Sequence, residues 1–321
     1  MARAFVFPGQ GSQFVGMGES LAQAFPVARE AFEEVDDALD QHLSTLMWEG
    51  PMETLSLTAN AQPALMAHSV AMARVLTAEA GVDLADAAFV AGHSLGEYSA
   101  LCAAGGLGLA ATARLLRVRG EAMQDAVPAG EGGMAALIGV DLDGAAAAID
   151  RTLEKLAAEG FEEKDRVLEI ANDNAPGQVV VSGRKAAVDR LVADAKSLGV
   201  KMAKALPVSA PFHSSLMVPA AERMETALAG AKIVAPRTSL VANVTAAPVS
   251  GPDDIKKRLV EQVTGRVRWT ESVRYMTGEG VDRFVELGAG KVLAGLLRRI
   301  EPDAKGTSLG EPGDIDGFLK S

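Results

Sequence analysis

An apolar run, Ala87-Ala88-Phe89-Val90-Ala91, breaks at Gly92-His93-Ser94-Leu95-Gly96-Glu97 and gives way to a helical stretch through Ala103. A strand, a sharp turn and a helix within so few residues constrain the fold more than any other feature of the chain. Glycines on both sides of Ser94 let the backbone turn tightly and remove side chains that would clash. Elsewhere apolar strand-like runs alternate with long Ala/Leu-rich helical stretches. That alternation points to an α/β protein with a largely parallel sheet, and the strand-turn-helix around Ser94 is of the kind that an α/β-hydrolase-like core carries.

The first strand is expected at residues 4–7 and ends in the loop Pro8-Gly9-Gln10-Gly11-Ser12-Gln13. Helices are expected near residues 19–40 and 62–80. From about residue 132 the pattern changes. Strands are expected at 134–140, 166–171, 178–182 and 201–208, with helices at 143–159 and 185–198 and a turn at 172–177. The order β-α-β-β-α-β is that of a ferredoxin-like unit. It is read as a small domain, residues 131–207, inserted into a larger domain made of residues 1–130 and 208–321. Strands at 240–244 and 283–287 return to the larger sheet, and Gly288-Ala289-Gly290 precedes a final helix.

Composition narrows the possible functions. The chain has 321 residues and a formal net charge of −11, an acidic balance that argues against nucleic acid as a partner. A single cysteine, Cys102, allows no intrachain disulfide and no cysteine metal cluster. No signal-peptide pattern opens the chain, and no apolar run approaches the roughly 20 residues that span a bilayer. A cytoplasmic protein is expected.

Ser94, in G-x-S-x-G between strand and helix, is the candidate nucleophile, and a serine N-cap is the alternative reading. The following helix would point free N–H groups at a developing oxyanion. A serine hydroxyl needs a base. The chain has four histidines. His213, in a loop after Pro211, is the candidate. His93 is read as turn packing, His68 as a packed helix residue and His42 as solvated. No aspartate stands out to orient the imidazole, so a backbone carbonyl could do so, giving a dyad. On the helical stretch 109–123, Arg119 falls in the apolar arc while Arg114 and Arg117 fall on the polar side. A buried arginine demands an anion. An internal ion pair and a clamp for a substrate carboxylate both satisfy that demand.

Several further segments carry a resemblance. These are Phe7-Pro8-Gly9-Gln10-Gly11-Ser12-Gln13, Gln62-Pro63-Ala64-Leu65, Gly92-His93-Ser94-Leu95-Gly96-Glu97-Tyr98, and Arg117-Val118-Arg119-Gly120 followed by a Gly-Gly-Met at 132–134. Asn174-Ala175-Pro176-Gly177-Gln178, Phe212-His213-Ser214 and Glu286-Leu287-Gly288 belong to the same set. Together, and in this order, they resemble the bacterial malonyl-CoA:acyl carrier protein transacylases of fatty acid synthesis. They are also similar to polyketide synthase acyltransferase domains. The resemblance implies that Ser94 is acylated and that His213 is its base. It implies an oxyanion hole from the backbone N–H groups of Gln10 and Leu95, and a malonate carboxylate bound by Arg119. It implies a backbone carbonyl near Gln262 as the holder of His213. Gly265 and Arg266 depart from the family there, which often has proline.

The implied reaction is ping-pong transfer from malonyl-CoA to the phosphopantetheine thiol of a holo acyl carrier protein, with no cofactor and no metal. The enzyme is expected to be a monomer. An acidic carrier protein would dock on a local basic patch, either Lys256-Lys257-Arg258 with Arg266 and Arg268, or Arg298-Arg299. The rivals are a serine esterase or thioesterase, a discrete polyketide acyltransferase, and a non-catalytic module that holds carrier protein or CoA.

Overall fold

The computed structural model describes residues 2–208 and 210–319. Met1, Lys320 and Ser321, the outer ends of the expected large domain, and Ser209 in the loop before His213 lie outside the described residues. The strands are β1 (Ala2–Phe7), β2 (Phe89–Gly92), β3 (Gly132–Ile138), β4 (Leu168–Ala175), β5 (Gln178–Arg184), β6 (Met202–Ala205), β7 (Ser239–Ala242), β8 (Ala247–Val249), β9 (Val281–Leu287) and β10 (Lys305–Leu309). Six of them form a sheet in the order β10-β9-β1-β2-β7-β8. All its pairings are parallel except β7 with β8.

Period-two alternation explains why β1 sits at the centre. Phe5 and Phe7 enter one apolar cluster with Val90, while Ala4 and Val6 enter another with Phe89 and Ala91. A strand buried on both faces reads as a continuous apolar run, as parallel sheets require. Phe7 pairs with Gly92 at the ends of β1 and β2, so the loops after both strands open at the same edge of the sheet. That edge is where parallel sheets place their ligands.

The second sheet is antiparallel, in the order β4-β5-β3-β6. The helices Leu142–Ala158 and Lys185–Asp194 cover it through Ile149, Leu156 and Leu191, packed on Leu137, Val179 and Val181. This is the expected ferredoxin-like arrangement. Asp173 N–H donates to Val267 O (2.9 Å) and Val267 N–H donates to Ala171 O (2.8 Å), which ties β4 to the larger body.

Several sequence-based expectations need correction. The helix expected across 19–40 is two helices, Glu19–Ala24 and Pro26–Leu39. Pro26 has no N–H for the preceding turn and instead opens the next helix. β4 runs through residues 172–175, where a turn was expected, and only Pro176-Gly177 remain as the turn. The polar Asp173 is buried there because its N–H donates to Val267 O and its carboxylate accepts from Thr270 Oγ1 (2.9 Å), and Asn172 is buried between the two bonds that join β4 to Val267. β8 and β10 were not expected, nor was the last helix, Pro312–Leu319.

Candidate active site

Ser94 adopts φ 54°, a left-handed conformation that an L-residue holds only under constraint. Both flanking glycines are sterically required. A Cβ on Gly92 would lie 1.9 Å from Gly96 O, and one on Gly96 would lie 2.2 Å from Phe7 O. Asn243, just past β7, holds the turn from the side. Its Oδ1 accepts the Ser94 N–H (2.8 Å) and its Nδ2 donates to Gly92 O (2.7 Å).

His213 stands beside this serine. Its Nε2 lies 2.8 Å from Ser94 Oγ. Its Nδ1 lies 2.9 Å from Gln262 O and 3.1 Å from Gly265 O. Carbonyl oxygens only accept, so Nδ1 carries the proton and Nε2 presents its lone pair to the hydroxyl. Burial pushes the imidazole pKa down to about 3, and the nearby Arg119 charge adds to the effect. The ring is therefore neutral at neutral pH and able to take a proton from Ser94.

Arg119 lies on the helix Leu109–Asp125 and is 1% exposed. This helix crosses Thr58–Ala80 closely at Gly120, where a Cβ would meet Thr58 O at 2.6 Å. The crossing brings Gln62 to the guanidinium. Nη1 donates to Gln62 Oε1 (2.7 Å), and Nη2 donates to Gln262 Oε1 (2.8 Å) and to Ser94 Oγ (3.1 Å). The Tyr98 ring lies 5.7 Å from its Cζ. Among the described residues no carboxylate stands within ion-pair distance of Arg119. The internal ion pair that the sequence left open is thus absent there, and neutral oxygens occupy its place.

Glu97 lies behind this group, 1% exposed. It accepts from Gln262 Nε2 (2.7 Å) and Asn243 N–H (3.0 Å). Burial pushes its carboxyl up to about 7, against the opposing pull of those two donors and of Arg119. Ser94, His213, Arg119 and Gln62 border a cavity of about 610 Å³, with Gln10, Leu95 and Phe212 in its wall. The backbone N–H groups of Gln10 and Leu95 donate to no acceptor among the described residues. The Gln10 side chain is turned away, donating to Thr58 Oγ1 at 3.2 Å.

The other histidines are placed differently. His93 is not merely turn packing. Its Nε2 lies 2.8 Å from Asn174 Oδ1, its ring leans on Trp269, and it reaches the cavity wall. His68 is buried against Gly310 O at 2.8 Å, and His42 is exposed. Of the basic residues, Arg258 pairs with Asp254 and Glu261, and Arg266 and Arg268 pair with Glu271. Arg299 reaches only neutral oxygens, of Gln178 and Pro176. Sequence reasoning missed Asn243 and the side-chain part played by Gln262. Glu97 and Gln62 were visible only as members of matched motifs.

A hydroxyl on a strand-to-helix elbow, an imidazole within hydrogen-bond reach of it and a buried guanidinium beside both are the kind of equipment acyl transfer uses. The chain belongs to the acyl transferase domain family, which it matches over residues 4–300. It is similar to the acyl-carrier-protein-S-malonyltransferase of Bartonella henselae, at 51% identity and a TM-score of 0.92 over 100% of this chain and 99% of that one. It is 45% identical to the malonyl CoA-acyl carrier protein transacylase of Escherichia coli K12, over 99% of this chain and 98% of the relative. A third similar structure is a malonyl-transacylase in complex with a type II polyketide acyl-carrier protein, at 39% identity and a TM-score of 0.91, covering 100% of this chain and 99% of that one. The protein is an acyltransferase.

Proposed function

We propose that this acyltransferase moves a malonyl group from malonyl-CoA to the phosphopantetheine thiol of a holo acyl carrier protein, supplying fatty acid synthesis. The observation that carries the reading is Arg119, a buried guanidinium without a carboxylate, placed 3.1 Å from Ser94 Oγ. An acyl chain ending in a carboxylate, attached to that serine, would supply the missing anion.

In the first half-reaction His213 Nε2 takes the Ser94 proton as Oγ attacks the thioester carbonyl. The Gln10 and Leu95 N–H groups accommodate the oxyanion. The C–S bond breaks, and CoA leaves as a thiol with the proton held by His213. In the second half-reaction the carrier thiol gives its proton to His213 and attacks the ester. Ser94 Oγ departs and recovers the proton. The carbonyls of Gln262 and Gly265 stabilise the transient imidazolium. Each step balances with no metal or cofactor.

The small unit, residues 131–207, is taken as a domain inserted between residues 1–130 and 208–321. The carrier protein docks on a local basic patch. Arg298-Arg299 is the better candidate, because carboxylates already answer Lys257, Arg258, Arg266 and Arg268, which leaves Lys256 alone of the other patch without one among the described residues. No helix among the described residues is long and apolar enough to cross a membrane. The enzyme is taken to work as a monomer in the cytoplasm, alongside its CoA substrate.

Initial rates measured while malonyl-CoA and holo carrier protein are varied test the reading. Parallel double-reciprocal lines and malonyl carrier protein as product support it. CoA release to water at the same rate without carrier protein would identify a thioesterase instead. A carrier protein of polyketide type that outcompetes the fatty acid type would move the enzyme to that pathway.

A further inference from the structure

Gln262 reaches Arg119 through a side-chain amide that has two possible orientations. Its Nε2 end faces only acceptors: Glu97 Oε2 at 2.7 Å, Ser94 O at 3.0 Å and Asn243 Oδ1 at 3.4 Å. Its Oε1 end faces the Arg119 Nη2 donor at 2.8 Å. Reversing the amide would set oxygen against oxygens and NH₂ against guanidinium, which buried groups do not tolerate. The shortest contact at the Nε2 end is with Glu97, on the first turn of the helix Gly96–Ala103. The same carboxylate oxygen also takes the backbone N–H of Asn243, whose side chain grips the serine turn.

We propose that Glu97 is a positioning residue, which fixes the orientation of the Gln262 amide and through it holds Arg119 ready for a carboxylate. The arrangement solves a particular problem. A carboxylate in direct contact with Arg119 would compete with the substrate for the guanidinium. Keeping the carboxyl one amide away leaves Nη1 and Nη2 of Arg119 facing only neutral oxygens among the described residues, which an ionised ligand displaces. The backbone carbonyl of the same Gln262 accepts from His213, so an error in this residue reaches base and clamp together.

This inference rests on Arg119 being the carboxylate clamp, and the test separates the two claims. The quantity read is the ratio of kcat/KM for malonyl-CoA to that for acetyl-CoA, a property of active molecules that an unfolded fraction does not alter. Glu97→Asp keeps the charge but shortens the reach by one methylene. It is expected to lower the ratio by about tenfold or more, chiefly through the malonyl-CoA KM, since a misplacement near 1 Å costs up to about 10²-fold. Glu97→Gln keeps the reach and an acceptor oxygen, and is expected to stay close to wild type. In a Gln262→Ala background, Glu97→Asp is expected to cause no further loss. An unchanged ratio in Glu97→Asp, a loss in Glu97→Gln as large as in Glu97→Asp, or losses that multiply in the double variant would each overturn the proposal. Arg119→Ala serves as control. If it leaves the ratio unmoved the clamp itself fails, and if it lowers the ratio while Glu97→Asp does not, only the positioning role fails.

Discussion

Arg119 Nη2 and His213 Nε2 meet at one atom, Ser94 Oγ, at 3.1 and 2.8 Å. The guanidinium can only donate, so the serine oxygen accepts from Arg119 and turns its own proton toward His213. In the proposed reaction, recognition and proton transfer therefore share a hydroxyl. A carboxylate that draws Arg119 toward itself also removes a positive charge from beside His213, which makes the imidazole a better base.

Substitution at Arg119 should therefore do more than weaken binding. Arg119→Ala is expected to raise the malonyl-CoA KM and to erase most of the preference over acetyl-CoA. The loss can reach ~10⁴-fold in relative kcat/KM, the scale seen when a buried polar group loses its partner. Steady-state kinetics with both thioesters check this, and an unchanged preference would remove Arg119 from substrate selection.

His213 and Glu97 give opposite pH signatures in stability. The His213 pKa falls from 6.5 to about 3 on folding, so between those values the unfolded chain binds the extra proton. Its contribution is present above 6.5 and is lost as pH falls toward 3. The Glu97 pKa rises from 4.5 to about 7, so the folded protein holds the extra proton between those values. Its contribution is present below 4.5 and is lost as pH rises through 7. Urea melts across about pH 4 to 8 are expected to show a shallower acid-side loss in His213→Asn and a shallower neutral-side decline in Glu97→Gln.

The serine turn leaves no room for a methyl group. Gly92→Ala puts Cβ 1.9 Å from Gly96 O, where backbone rather than a flexible side chain must yield. A loss of about 3 kcal/mol or more is expected, beyond the usual cost of overpacking. Thermal melting checks it, and wild-type stability would show that the turn can open.

Much of this site was legible because its parts sit in local patterns. Ser94 lies between glycines at a strand-to-helix turn, and Arg119 interrupts an apolar helix face. The partners of Arg119 were not legible. A buried arginine reads as needing an acid, yet Gln62 and Gln262 come from two other helices, and only packing at Gly120 brings one of them into place. Asn243 was equally hidden, since its hydrogen bonds depend on β7 lying beside β2. In the fold, β10 escaped notice because it is an edge strand with a single fully buried residue and gives no apolar run. β4 escaped because Asn172 and Asp173 look like turn residues until their partners are known.

Carrier-protein docking yields a comparison between two patches. Charge reversal at Arg298 and Arg299, which no carboxylate among the described residues answers, is expected to raise the carrier-protein KM and leave the malonyl-CoA KM alone. Reversal at Arg266 and Arg268, both paired with Glu271, is expected to do less. Equal carrier-protein KM values across all variants would place docking elsewhere.

The covalent step is the centre of the account, and intact mass spectrometry reads it directly. Purified protein is mixed with malonyl-CoA in the absence of carrier protein, with Ser94→Ala alongside. The expected result is a malonyl adduct on the wild type, none on the variant, and discharge of the adduct when holo carrier protein is added. An adduct of equal yield on Ser94→Ala, or transfer to carrier protein with no adduct on the wild type at any time, would contradict it.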